Sequence, residues 1–105
     1  MADDTNPRAA LVARWLVLVR DVLPGMAEQC RWPILADHCF MRVCLDMSLG
    51  APWHTVVKRP AIRNLTNEQL EAAIAVAEGL VHAPDTLSAL NRQSIAWRRR
   101  LQMPR

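Results

Sequence analysis

The amino-acid sequence predicts an all-α protein, a compact bundle of four main helices with a short irregular or helical segment between the second and third. Apolar residues recur at the spacing of amphipathic helices in four stretches of the chain. No stretch alternates apolar and polar residues for long enough to predict a strand. A chain of 105 residues is short for two domains, so we expect one helical domain over residues 1–105.

The first helix is predicted to begin after Asn6, a favourable N-cap residue, with Pro7 at its first position. Apolar side chains then follow at helical spacing, at Leu11, Val12, Trp15, Leu18, Val19 and Val22. Pro24 and Gly25 are expected to stop this helix, because proline lacks the N–H that an α-helix needs. Residues 26–32 either extend the helix or form a polar turn.

The second helix is predicted to start at Pro33 or Asp37 and to end at Gly50, a residue type that suits a C-terminal cap. Apolar side chains cover most of its surface, at Cys39, Phe40, Met41, Val43, Cys44, Leu45, Met47 and Leu49. A helix that is apolar nearly all round is usually buried. We therefore expect its few polar side chains to point into the protein or into a cavity.

The connection over residues 51–65 has a less regular pattern than the helices on either side of it. Pro52 can open a short helix that runs through Lys58. Pro60 should end that helix, because proline disfavours an α conformation at the residue before it. This connection is therefore predicted to be irregular or briefly helical.

The third helix is predicted to start with a capping box, in which Thr66 and Gln69 each bond the other's backbone amide. Its apolar stripe consists of Leu70, Ala73, Ile74, Ala77 and Val81, and His82 and Pro84 close it. Asp85 is expected to cap the fourth helix. Apolar residues of the fourth helix follow at helical spacing, at Leu87, Leu90, Trp97 and Leu101.

Polar side chains interrupt the inward faces of the second and fourth helices. The candidate polar pocket consists of six residues from these two helices, His38, Arg42, Asp46, Asn91, Ser94 and Arg98. The first three lie four residues apart and share one face of a helix at about 3.6 residues per turn. In the fourth helix, Ser94 takes a position where the apolar stripe needs another apolar residue. If the two helices pack together, these polar groups meet.

Three interpretations of the polar residues stay open. In the first they are structural, with Arg42 and Asp46 paired along their own helix and His38 stacked one turn earlier. In the second they line a ligand-binding or catalytic pocket, whose surplus positive charge suits a carboxylate or phosphate. In the third they form a surface stripe that contacts a partner protein.

The cysteines and histidines do not follow a metal-binding pattern. Cys30, His38, Cys39, Cys44 and His54 show none of the spacings typical of zinc ligands, so we predict no bound metal and no cofactor. We interpret the cysteines as buried structural residues. A nucleophilic pair of a cysteine with His54 stays open, although no sequence feature marks an activated thiol.

Cysteine usage and the N-terminus favour a cytoplasmic protein. The three cysteines give no disulfide framework. Residues 1–8 lack the basic and apolar regions of a secretory signal. No apolar run approaches the roughly 20 residues of a membrane span, so we expect no membrane association.

The formal net charge is +3, and twelve of the thirteen basic residues are arginines. Arginine suits carboxylate and phosphate recognition, because its planar guanidinium bonds two oxygens at once. Residues 97–105, with Arg92 upstream, make the end of the fourth helix basic, which complements the helix dipole. Nucleic-acid binding is the least favoured partner, because the acidic third helix would repel phosphate.

The run HCFMRVCLDMSLGAPW, which starts at His38, is followed downstream by RP, NLTNEQL and LNRQSIAWR. These segments, over about residues 37–98, resemble short bacterial all-α proteins, some of which carry the label GCN5-related acetyltransferase. That superfamily holds the coenzyme A pyrophosphate with a glycine-rich turn between a strand and a helix. This sequence has no such turn. The resemblance therefore implies a bacterial family rather than an activity.

Together these observations favour a small cytoplasmic bacterial accessory or binding module that acts through a protein partner or a homodimer, rather than an enzyme. Trp32, Trp53 and the second helix are expected to leave apolar surface exposed, which is typical of partner-binding proteins. The first alternative is a small enzyme or ligand-binding protein whose polar pocket recognises an anionic small molecule. The second alternative is an arginine-mediated nucleic-acid binder.

Overall fold

The computed structural model describes residues 6–103, which form helices joined by short connections. In chain order the elements are α1 (Pro7–Leu16), a π-helical segment (Val17–Val22), α2 (Leu23–Ala27), α3 (Asp37–Leu49), a 3-10 turn (Trp53–Thr55), α4 (Ala61–Asn64), α5 (Asn67–His82), a second 3-10 turn (Pro84–Thr86) and α6 (Leu87–Gln102). Within the described residues there is no β-strand, which confirms the all-α prediction. None of the described helices is long and apolar enough to cross a bilayer.

The prediction that Pro24 and Gly25 end the first helix is wrong, because the chain stays helical through both residues to the end of α2. The π-helical segment Val17–Val22 lies directly before α2. In this segment hydrogen bonds reach back five residues instead of four, as from the Leu23 N–H to the Leu18 carbonyl. The turn before the proline is therefore wider than an α-turn and accommodates a ring that would otherwise break the helix.

α3 begins at Asp37, one of the two predicted starts, and ends at the predicted cap. Gly50 has φ 74°, the left-handed conformation that glycine adopts without a steric cost. Its N–H donates to the Asp46 carbonyl at 2.8 Å, so the cap satisfies a carbonyl that the helix end leaves unpaired.

The connection after α3 is helical in two short pieces. The predicted helix from Pro52 to Lys58 is reduced to the single 3-10 turn Trp53–Thr55. Pro60 is the N-cap residue of the one-turn helix α4. This connection brings residues 53–65 against α1 and α3, where they line a cavity described below.

Local cap signals predict the start of α5 but not that of α6. The capping box is present, with Gln69 N–H donating to Thr66 Oγ1 at 3.0 Å and Thr66 N–H donating to Gln69 Oε1 at 2.9 Å. The predicted cap of the last helix is wrong, because Asp85 lies inside the second 3-10 turn and Thr86 is the N-cap residue. The Thr86 hydroxyl donates to the Ala83 carbonyl at 2.8 Å instead of accepting from the helix.

α3 occupies a central place in the packing of the helices. It packs against both α5 and α6, and α5 also packs against α1. The apolar core is one continuous cluster, and its largest fully buried side chains include Leu18, Leu23, Phe40, Leu70, Leu80 and Leu87. The polar side chains of α3 therefore lie in two places, at the contact with α6 and at the cavity beside α1.

Trp32 belongs to the core, contrary to the expectation that it leaves apolar surface exposed. Its exposed fraction is 7%, and its ring centroid lies 5.5 Å from that of Phe40. The indole N–H donates to the Pro84 carbonyl at 3.0 Å. The ring is thus buried while its only donor is satisfied, which is how buried tryptophans are usually accommodated.

Candidate functional site

The contact between α3 and α6 is built from polar side chains around Asp46, whose exposed fraction is 0%. Asp46 Oδ2 accepts from Ser94 Oγ at 2.7 Å and from Arg98 Nε at 2.8 Å. Asp46 Oδ1 accepts from Arg98 Nη2 at 3.0 Å and from the Trp53 backbone N–H at 2.8 Å. The carboxylate is therefore fully hydrogen-bonded and paired with one guanidinium in a bidentate geometry, which a buried charge requires.

Arg42 reaches the same contact from α3 but bonds neutral groups. Its Nη1 donates to Ser94 Oγ at 2.7 Å, and its Nη2 donates to Asn91 Oδ1 at 2.7 Å. The Ser94 hydroxyl accepts from Arg42 and donates to Asp46, so it links the two halves of the network. Within residues 6–103, Arg42 forms no salt bridge with a carboxylate.

The charges of this network do not cancel. Asp46 and Arg98 neutralise each other, with Nε and Oδ2 separated by 2.8 Å. Arg42 then contributes one positive charge that neutral oxygens solvate. Every buried side-chain nitrogen and oxygen of the described residues has a hydrogen-bond partner, so the network is complete without a ligand. What it leaves uncompensated is the charge of Arg42.

The structure brings five of the six candidate residues together in the polar network and leaves His38 outside that network. The His38 side chain is 80% exposed, and its Nδ1 lies 3.6 Å from Asp37 Oδ1 at the start of α3. Positions eight residues apart on a helix are rotated by about 80° relative to each other, so His38 cannot face α6 as Asp46 does.

The predicted pairing of Arg42 with Asp46 along α3 is wrong. The carboxylate binds Arg98 from the facing helix, and Arg42 binds Asn91 and Ser94 from that helix. The i,i+4 spacing allows the intrahelical pair but does not require it. Contact with α6 offers Asp46 a bidentate partner, which is the stronger interaction.

A cavity of about 450 Å³ lies beside this network, between α1, α3 and the connection that follows α3. Its apolar lining consists of Trp15, Leu16, Met41, Leu45, Trp53, Pro60, Ala61, Ile62 and Leu65. Its basic lining consists of Arg20, His38, Arg42 and Arg59. Within the described residues no aspartate or glutamate lines the cavity. The cavity lining therefore combines apolar walls with positive charge, and among the described residues no lining carboxylate neutralises that charge.

The polar network fixes two residues of the cavity wall. Arg42 lines the cavity, and its guanidinium is held by Ser94 and Asn91 of α6. Trp53 also lines it, and the backbone N–H of Trp53 is held by Asp46. The network and the cavity are thus one site, in which buried polar groups set the positions of a cation and of the backbone that carries an aromatic side chain.

Sequence reasoning missed the cavity residues that lie outside the second and fourth helices. Arg20 belongs to the π-helical segment, Arg59 precedes Pro60, and Trp15 appears in the sequence only as a core residue of the first helix. The Arg59 guanidinium lies 5.0 Å from the Trp53 ring centroid, a cation–π distance. In the sequence, Trp53 follows Pro52 and Arg59 precedes Pro60, and these two pairs were the features that could have indicated a site in the irregular connection. Only the fold shows that both residues line a cavity beside α1.

The cysteines do not contribute reactive groups to this site. Burial raises the pKa of the Cys44 thiol from its ordinary value of 9.0 to about 12. Cys30 and Cys39 are half-buried free thiols, and His54 is exposed. Among the described residues, no three His, Cys, Asp or Glu side chains are close enough to hold a metal ion.

No protein-family model, curated protein or solved structure gives a significant match to this chain.

Proposed function

We propose that this protein is a binding module for a small anion with an apolar body, which enters the cavity between α1 and α3 and contacts Arg42. The observation that carries the proposal is the uncompensated charge of Arg42 at the wall of an apolar cavity. A partly buried guanidinium that has no carboxylate partner of its own is well placed to bind an anion through charge-assisted hydrogen bonds. The first alternative drawn from the sequence is therefore the one that the geometry supports best.

The cavity has the size and composition of a ligand site. A volume of about 450 Å³ falls within the range of roughly 300–1,000 Å³ found for small-molecule pockets. Such pockets are mostly apolar and hold a few polar groups that orient the ligand. Here Trp15, Leu45 and Ile62 are among the apolar walls, and Arg42 is the orienting group.

The exposed basic residues at this cavity support the same ligand charge. Arg20, His38 and Arg59 are exposed and contribute to its lining. The positive charges of Arg20 and Arg59 at one opening attract anions over a distance of about a Debye length, roughly 8–10 Å at physiological ionic strength. They therefore favour the approach of an anion, whereas Arg42 provides the contact.

Binding is favoured over catalysis by the chemistry of the lining. Arginine keeps its proton at all ordinary pH values and does not act as a general acid or base. Within the described residues, His38 is the single acid–base group of the lining, and it is exposed at the edge of α3. The lining also includes no cysteine or serine nucleophile among the described residues.

A titration with anilinonaphthalene sulfonate, a fluorescent anion with an aromatic body, tests this proposal. The wild-type protein should bind the dye at one saturable site, and Arg42→Met should weaken the affinity by about tenfold, the effect of one charge-assisted hydrogen bond. Arg92→Met is the matched control, because Arg92 is exposed on α6 and is not part of the cavity lining.

Two results would contradict the proposal. One is the absence of a saturable site in a protein whose near-ultraviolet circular dichroism shows native packing. The other is equal affinity in the wild type, Arg42→Met and Arg92→Met, which would show that the dye binds without the cavity arginine.

A protein partner or homodimer is the second candidate, and the end of α6 favours it. Leu101 and Met103 are 55% and 67% exposed, next to the basic pair Arg99 and Arg100. Exposed apolar residues beside charges are typical of interaction surfaces. Sedimentation of the pure protein tests the homodimer, and a Leu101→Glu variant should shift the equilibrium to the monomer.

A cytoplasmic location is also part of this proposal, supported by the free thiols of the described cysteines.

A further inference from the structure

Arg42 keeps several hydrogen-bond donors that the protein does not use. A guanidinium carries five N–H groups in a rigid plane. In Arg42, one hydrogen on Nη1 bonds Ser94 and one on Nη2 bonds Asn91. The Nε–H and the second hydrogens of both Nη atoms have no acceptor within residues 6–103. Where Nη1 and Nη2 use the hydrogens on the edge that they share, the Nε–H and the second Nη2–H are left as a side-on pair whose spacing matches the two oxygens of a carboxylate.

We propose that the ligand of this cavity is a monocarboxylate with a planar aromatic body, whose carboxylate binds the side-on donor pair of Arg42. This inference rests on the proposed function and adds the chemical class of the ligand. Arg42 is already held by two hydrogen bonds of 2.7 Å to α6. Little side-chain entropy is therefore lost when a ligand binds to it.

The number of fixed cations favours a carboxylate over a phosphate. Among the described arginines of the cavity, Arg42 alone is held by side-chain hydrogen bonds. Arg59 instead lies over the Trp53 ring, and Arg20 is exposed. A phosphate monoester carries nearly two charges and several acceptor oxygens, which one guanidinium does not satisfy. A single guanidinium in a fixed position, with two parallel N–H groups, matches a carboxylate, which carries one charge on two oxygens.

The tryptophans of the lining favour an aromatic body. Trp15 is 3% exposed and therefore has a fixed position in the core. Trp53 is half-buried, and Asp46 holds its backbone N–H at 2.8 Å. Aromatic rings pack against each other in offset or edge-to-face arrangements and gain more than their buried area alone provides. Two indole side chains in the lining, one fixed by burial and one on a hydrogen-bonded backbone, thus suit a flat aromatic ligand.

Isothermal titration of the whole chain with four probes tests this ligand class. The probes are naphthaleneacetate, its neutral analogue naphthaleneethanol, naphthyl phosphate and the unbranched aliphatic acid octanoate. Naphthaleneacetate should bind at least about tenfold more tightly than naphthaleneethanol, because the alcohol lacks the charge-assisted pair. It should also bind more tightly than octanoate and at least as tightly as the phosphate.

Two variants separate the charge of Arg42 from its geometry. Arg42→Lys keeps the positive charge but has no planar fork, so the affinity for naphthaleneacetate should fall by about tenfold while that for naphthaleneethanol stays the same. Arg92→Met should bind all four probes as the wild type does. The comparison of probes on the wild type remains decisive even if a variant folds poorly.

The outcomes distinguish this inference from the proposed function. Tighter binding of naphthyl phosphate by tenfold or more would overturn the carboxylate assignment and leave the proposed function intact. Octanoate binding as tightly as naphthaleneacetate would overturn the aromatic body. Unchanged affinity of Arg42→Lys for naphthaleneacetate would overturn the side-on contact. Failure of every anionic probe to bind the wild type would overturn the proposed function itself.

Discussion

Arg42 and Arg98 approach one network from facing helices but stand in opposite electrostatic situations. Arg98 is paired with a fully buried carboxylate through two hydrogen bonds of 2.8 and 3.0 Å. Arg42 bonds a hydroxyl and an amide oxygen. The first arginine therefore compensates a charge that folding buries, whereas the second adds a charge that only an external anion balances.

The ion pair gives a prediction for the stability of the fold. Arg98→Met leaves the Asp46 carboxylate buried without a counter-ion and should lower the free energy of unfolding by about 3 kcal/mol. The double variant Asp46→Leu/Arg98→Met removes both members of the ion pair and so leaves neither of them stranded, and it should recover much of that loss. Urea denaturation of the single and double variants measures both values. Additive losses in the double variant would show that the two residues are not coupled.

The buried thiol gives a prediction about reactivity. At about pH 8 the Cys44 thiol should stay protonated and resist iodoacetamide in the folded protein, while the half-buried Cys30 and Cys39 react faster. Peptide mapping after labelling in buffer and in denaturant measures this difference. Because folding holds the thiol neutral between pH 9.0 and about 12, whereas unfolding lets it ionise, the free energy of unfolding should fall as the pH rises through that interval.

At the scale of the helices, α6 is unusual because polar residues occupy much of its buried face. Its buried residues are Leu87, Asn91 and Ser94, and Arg98 is also part of the contact with α3. Directional hydrogen bonds fix the position of such a helix more strictly than apolar contacts do. The position of α6 thus depends on the same groups that hold Arg42.

Removal of the Ser94 hydroxyl should destabilise α6 more than the small size of this group suggests. Ser94→Ala removes the acceptor of Arg42 and a donor to Asp46, and it should cost roughly 1–3 kcal/mol. Hydrogen exchange should then increase over residues 90–102 but not in α5. Ser88→Ala, on the same helix but outside the network, should have little effect. Equal exchange in both variants would show that the network does not hold α6.

The starts and ends of helices were predictable where short-range contacts set them. The capping box of Thr66 and Gln69 and the left-handed Gly50 depend on residues within one turn, and both are present. The continuation of the first helix through Pro24 was not predictable, because it depends on a π-helical segment that directly precedes the proline and makes room for its ring. Helical spacing gives no sign of such a segment.

The candidate site was predictable only in part for a related reason. Polar residues at inward-facing positions of two helices indicated that six side chains would meet if the helices packed together. Five of them do, Arg42, Asp46, Asn91, Ser94 and Arg98, whereas His38 stays outside the network. Which arginine binds the carboxylate depends on the rotation of one helix against another, which the spacing of residues does not determine. The cavity depends on tertiary contacts of the connection after α3, which helical spacing does not reveal.

At the scale of the whole molecule, positive charge is spread over separate regions. Three exposed basic residues line the cavity, and the end of α6 carries another group, which includes Arg99 and Arg100. Glu68 and Glu71 lie exposed on α5. With a net charge of +3 and the basic groups of residues 6–103 divided in this way, we expect a weaker attraction for nucleic acid than one continuous basic surface would give.

Duplex DNA should therefore bind weakly. We expect dissociation constants above about 1 µM at physiological salt, with no preference among sequences and a steep loss of affinity as salt rises. Fluorescence anisotropy with two unrelated duplexes at several salt concentrations measures this. Sequence-selective binding below that concentration would place nucleic acid first among the partners.

The most direct test of a ligand role for Arg42 is the unfolding free energy of Arg42→Met, measured without ligand beside Arg98→Met. Arg42→Met breaks the hydrogen bonds to Ser94 and Asn91, but it also removes a partly buried charge that has no counter-ion, so its net loss should stay at or below about 1 kcal/mol. Arg98→Met should lose about 3 kcal/mol in the same denaturation experiment. A loss for Arg42→Met as large as that for Arg98→Met would show that the cavity arginine is a structural residue.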